Sequence, residues 1–72
     1  MNLPIWTVYD HPTDYPDYFV ARKWLAGKEG ERATDQLLFD TDLDALRRRL
    51  SIGLYCMPRN EKDDPVIIEC WV

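Results

Sequence analysis

His11 is the only histidine of the chain, and it stands between Asp10 and Pro12 with Asp14 and Asp17 close behind. An imidazole among carboxylates suggests two chemistries: an acid–base pair or a metal site. A calcium loop needs oxygen ligands at alternating positions around a central glycine, and that pattern is missing here. A zinc site needs about four nitrogen or sulfur ligands. One histidine and two distant cysteines, Cys56 and Cys70, do not supply them. The segment reads as a solvated turn in which aspartate side chains cap the backbone. No metal and no cofactor are expected.

Nucleophilic chemistry has little to build on. The only serine is Ser51, and no glycine-rich phosphate loop or serine elbow is present. A reactive thiol needs an electropositive, partly exposed setting. Cys70 lies between Glu69 and Trp71, and Cys56 has only Arg59 nearby. Both cysteines alternate with large apolar residues, as buried thiols do. A bridge between them would require adjacent strands. The residues point away from an enzyme.

Binding chemistry is better represented. Six of the nine aromatic residues, Trp6, Tyr9, Tyr15, Tyr18, Phe19 and Trp24, fall in one quarter of the chain. Tryptophan, tyrosine and arginine dominate binding hot spots, but aromatics also make up the cores of small domains. Trp6, Phe19 and Trp24 read as core. Tyr15 and Tyr18, in a loop with His11, Asp14 and Asp17, read as a contact surface for a protein partner. Arg47, Arg48 and Arg49 form the one basic cluster. It suits either an acidic partner or the C-terminal end of a helix dipole.

These residues must be held by ordered elements. Ile5–Tyr9 is rich in β-branched and aromatic residues, which suits a strand. Tyr18–Leu25 reads as a second strand, with Tyr18, Val20, Arg22 and Trp24 on one face and Phe19, Ala21, Lys23 and Leu25 on the other. Gly27–Gly30 reads as a hairpin turn into a third strand over Arg32–Phe39. Thr41 is the expected N-cap of a helix of about ten residues, with Asp44 in a capping-box position, Leu43, Leu46 and Leu50 along one stripe, and Gly53 as a stop signal. Leu54–Met57 reads as a brief strand ended by Pro58. A charged loop spans Arg59–Asp64. Val66–Val72 reads as a last strand paired inside the sheet, with Val66, Ile68, Cys70 and Val72 on one face and Ile67, Glu69 and Trp71 on the other. The predicted class is α+β: a small antiparallel sheet of three to five strands with one helix packed on one face, in the order β-β-β-α-(β)-β. Residues 1–72 make one domain.

With 46% hydrophobic and 31% charged residues, the composition is that of a globular chain rather than a disordered one. The net charge of −4 disfavours nucleic acid, whose backbone requires clustered cations. The N-terminus lacks a signal-peptide pattern, and no window approaches a membrane span. A cytoplasmic location is expected.

The segments Trp6-Thr7-Val8-Tyr9-Asp10-His11-Pro12, Asp14-Tyr15-Pro16-Asp17 and Phe19-Val20-Ala21-Arg22, with the closing Asp63-Asp64-Pro65-Val66-Ile67-Ile68-Glu69, resemble short proteins of bacteria and their phages. That resemblance implies no catalytic residue, cofactor or substrate. It implies a small protein that binds and modulates a host component, for example as an inhibitor of nuclease-based defence. The leading expectation is therefore a non-enzymatic binding or regulatory protein, with a homodimer through an uncovered sheet face or the terminal strand as one form. The alternative is a small enzyme or metal-dependent protein using Asp10, His11, Asp14 and Asp17.

Overall fold

A computed structural model describes residues 3–58 and 65–72. The predicted Arg59–Asp64 loop lies outside the described residues. In chain order the elements are β1 (Leu3–Asp10), β2 (Phe19–Gly27), β3 (Gly30–Asp40), α1 (Leu43–Leu50), β4 (Cys56–Pro58) and β5 (Ile67–Trp71). Among the described residues, the five strands form one antiparallel sheet, and with the one helix they make an α+β fold.

The spatial order, β3-β2-β1-β5-β4, departs from the chain order. The chain's last strand sits between β1 and β4, so its apolar backbone is paired on both sides and offers no sticky edge. The long edge strand β3 is instead protected by exposed polar residues, among them Glu31, Arg32, Asp35 and Gln36. β2 and β3 meet in a tight hairpin in which Gly27 pairs with Gly30. Gly30 takes φ +102°, a left-handed conformation that glycine adopts without steric cost.

Two irregularities decide which side chains face which way. Lys23 stands opposite the whole Thr34–Gln36 segment, and the Thr34 hydroxyl donates to the Lys23 carbonyl at 2.8 Å. The second lies between β1 and β5, where Val8 pairs with Glu69 but Tyr9 pairs with Ile67. Such an inserted residue shifts the alternation by one. Strict alternation over Val66–Val72 therefore fails. Glu69 and Trp71 are buried and Ile68 packs on the same core, whereas Ile67, Cys70 and Val72 line the opposite face.

The core joins Val8, Ala21 and Trp71 of the sheet to Leu46 and Leu50 of α1, with Trp6, Phe19, Leu38 and Leu43 around it. Each fully buried aliphatic side chain contributes about 1.5–3 kcal/mol. The sequence stripe Leu43, Leu46 and Leu50 thus supplies both fully enclosed helix residues. The N-cap is Asp42 rather than Thr41: its Oδ1 accepts from the Asp44 amide at 3.2 Å, and the Asp40 carboxylate accepts from the Asp42 amide at 3.0 Å. Two successive aspartate turns move the start one residue on and remove the capping box. The helix has eight residues, and Ser51 closes it by donating from its hydroxyl to the Arg48 carbonyl.

Candidate functional site

The β1–β2 connection is built from hydrogen-bonded turns. The Tyr15 amide donates to Pro12 O at 2.9 Å and the Tyr18 amide to Tyr15 O at 3.2 Å. The His11 amide closes the loop onto Tyr18 O at 3.1 Å. His11 has φ +47°, an uncommon conformation for which histidine is one of the more tolerant residues. Pro12 bars its predecessor from the right-handed helical region, so the chain turns here for a local reason.

Both loop tyrosines meet one residue of the edge strand. The Tyr15 ring stands edge-on to Phe39 at a centroid distance of 4.7 Å, and Tyr18 does so at 5.9 Å. Phe39 pairs with Val20, so both contacts lie on the sheet face opposite the helix core. Tyr15 is half-buried, while Tyr18 remains 41% exposed. Below the loop a cleft of about 200 Å³ is lined by Tyr9, Pro12, Asp14, Tyr15, Val20 and Arg22. Asp14 and Asp17 are exposed. The predicted contact residues therefore gather at one end of the sheet.

His11 turns to the other side. Its ring packs edge-on to Phe19 at 4.7 Å, and its Nδ1 is paired with the Asp10 carboxylate. Among the described residues, no three histidine, cysteine or acidic side chains converge as a metal would require.

Beyond the loop, the same sheet face continues as a shallow apolar depression of about 360 Å³ lined by Ile5, Trp24, Met57, Ile67, Cys70 and Val72 among others. Trp24, expected in the core, is half-buried here instead, on the side away from α1. Its Nε1 is enclosed and meets no acceptor among the described residues. Leu3 and Met57 at the margins are exposed.

No family model matches this chain, no curated protein matches it, and no solved structure matches its fold.

The three arginines of α1 do not act as one patch. Arg47 reaches back to the buried Glu69, Arg49 donates to the Phe39 carbonyl at 3.1 Å, and Arg48 is exposed. The Arg47–Glu69 pair is a polar cluster that sequence reasoning missed. The Trp71 indole N–H donates to Glu69 Oε2 at 2.8 Å, and the Cys56 thiol lies beside the same carboxylate. Burial alone would raise the Glu69 carboxyl. Hydrogen bonds from Arg47 and Trp71 outweigh burial and hold it below the usual range. The Cys56 thiol is raised, first by burial and then by the Glu69 charge. The one signal in the sequence was the lone carboxylate between apolar residues in the last strand.

Cys56 is exposed rather than buried, because β4 is a three-residue edge strand. The cysteines lie on neighbouring strands, but Cys56 pairs with Trp71 and Met57 with Cys70. The two thiols therefore point to opposite faces of the sheet. A bridge between them would need β4 to slip by one residue against β5, which turns its side chains to the other face.

Proposed function

We propose that this chain is a small non-enzymatic protein-binding module that contacts its partner through the 10–18 loop. The observation that carries the reading is the double edge-on packing of Tyr15 and Tyr18 on Phe39. A loop held in its bound shape beforehand loses less entropy on association, and tyrosine supplies contact area with few rotatable bonds. Asp14 and Asp17 beside the rings, on a chain of net charge −4, favour a basic patch on the partner. The resemblance of both chain ends to bacterial and phage proteins supports a host protein as the target, with nuclease-based defence as one such system. The test is recovery from host lysate followed by affinity measurement with the purified partner. The Tyr15→Ala/Tyr18→Ala double variant should bind at least ~100-fold more weakly, as loss of two hot-spot aromatics implies. Equal affinity would move the contact elsewhere.

The Asp10–His11 pair favours a second reading, a metal-dependent or acid–base role for the same loop. Elemental analysis of untagged protein, with melting measured against added divalent ions, separates the two. A bound ion raises the midpoint by linkage.

A further inference from the structure

We propose that the apolar sheet face opposite the helix pairs with the same face of a second copy of this chain, in a twofold dimer. Beyond the Tyr9, Val20 and Phe39 row beneath the loop, this face carries three further rows across β1, β2 and β3. Leu3, Ala26 and Glu31 form one, Ile5, Trp24 and Ala33 the next, and Thr7, Arg22 and Leu37 the third. Arg22 is the only cation and Glu31 the only anion in these rows. Neither forms an ion pair among the described residues, and Asp14 beside the Arg22 end does not pair with it either. The two lie four positions apart along the strands and on neighbouring strands, about 14 Å in all.

That spacing is self-complementary. A dyad in the plane of the interface, along the Ile5–Trp24 row, exchanges the outer rows. It brings Arg22 of each copy over Ala26 of the other, one strand from Glu31 and within the reach of an arginine side chain, so that two unpaired charges become two symmetric ion pairs. An isologous contact requires this reciprocity. The middle row then meets itself, covering Trp24, and the exposed Leu3 meets the Thr7 row of the second copy. Four strand spacings of about 4.8 Å and the five strand residues outside the loop, about 17 Å, give a projected face on the order of 300 Å². Even with its corrugation this stays below the ~800 Å² of accessible surface per partner in a specific interface, so the dimer is weak and dependent on concentration. The loop at Tyr15 and Tyr18 stands at the far end of the face and stays outside the contact. The inference thus does not rest on the function proposed above.

Sedimentation equilibrium from low micromolar to near-millimolar protein tests it. The mass of the wild type should rise from 8.5 kDa towards twice that value. Arg22→Glu and Glu31→Arg each place like charges across the dyad and should hold the mass at the monomer value. The double variant carrying both should regain dimerisation. A wild-type mass that never leaves 8.5 kDa, or four proteins that associate alike, overturns the proposal. Where a variant fails to fold, dilution of the wild type followed by NMR gives the answer. The resonances of Ile5, Trp24 and Val72 should move, and shifts that are absent or confined to the loop count against it. The Tyr15→Ala/Tyr18→Ala variant should dimerise as the wild type does, so loss of partner binding and loss of dimerisation can be told apart.

Discussion

Arg47 of the helix holds the carboxylate of Glu69 in a two-point grip, Nη2 to Oε1 at 2.7 Å and Nε to Oε2 at 3.1 Å, across 22 residues of sequence. The partners are not equivalent: the Glu69 side chain is 6% exposed and that of Arg47 41%. Removing the arginine leaves a buried charge with only Trp71 and a thiol beside it, whereas removing the glutamate charge frees an arginine that can rehydrate. Arg47→Ala is therefore expected to cost about 3 kcal/mol, as breaking one side of a buried pair does. Glu69→Gln, which keeps the shape and one acceptor, should cost about half that, close to a charged hydrogen bond. Urea unfolding of both variants checks the order, and equal costs would refute the asymmetry.

The same pair sets an acid limit. Glu69 has a lowered carboxyl in the folded state, so the unfolded chain binds its proton first as pH falls. The stabilisation is complete above the unfolded value of about 4.3 and is lost as pH drops through the lower folded value. The melting midpoint should fall below pH ~4.3 in the wild type, and the Glu69→Gln variant should lose part of that slope. Parallel acid profiles would show that Glu69 is not the responsible group.

Leu46 is fully enclosed between the helix and the sheet. Leu46→Ala should cost about 3 kcal/mol, through lost transfer energy and the cavity left behind. Ile52, 83% exposed just past the helix, serves as the control, and Ile52→Ala should change stability by less than ~0.5 kcal/mol. Thermal and urea midpoints read both.

Capping gives a sharper comparison, because it separates neighbouring residues. Asp42→Ala should cost about 1 kcal/mol of stability, since its Oδ1 caps the Asp44 amide. Thr41→Ala should be nearly silent. The reverse ranking would restore Thr41 as the cap.

The cysteines should differ in labelling. Cys56 is exposed and Cys70 half-buried, and their thiols face opposite ways. A maleimide should modify Cys56 first. The reaction should be slow at neutral pH because partial desolvation of the sulfur on its inner side and the Glu69 charge keep the thiol protonated. Mild oxidation should yield no intramolecular bridge by mass spectrometry, while the denatured chain should form one.

The local elements were legible because their causes are local. The Leu43, Leu46, Leu50 stripe, the aspartates before it and the arginines at its end specify a short helix on any surface that buries leucine. Gly27 and Gly30 around Lys28-Glu29 specify a tight hairpin, and the β-branched and aromatic runs specify strands. The loop from Asp10 to Tyr18 was readable as a turn from its prolines and aspartates alone. The cap was misplaced by one residue, since Asp40, Thr41 and Asp42 are all competent and only the Asp40 turn chooses among them.

By itself, then, the sequence determined an α+β chain, its hairpin, its helix and the sites of its turns. Tertiary structure decided how these face one another. The register shift between Val8 and Tyr9 turned Ile68 onto the core face beside Glu69 and Trp71, and Ile67 onto the opposite face with Cys70. Insertion of the last strand beside the first brought Arg47 to a carboxylate that no local pattern names. Packing of Tyr15 and Tyr18 on Phe39, 21 to 24 residues distant, made the loop an aromatic surface. Periodicity records which residues alternate. It does not record where an extra residue breaks the alternation, because that depends on the partner strand and is settled only when the two strands pair.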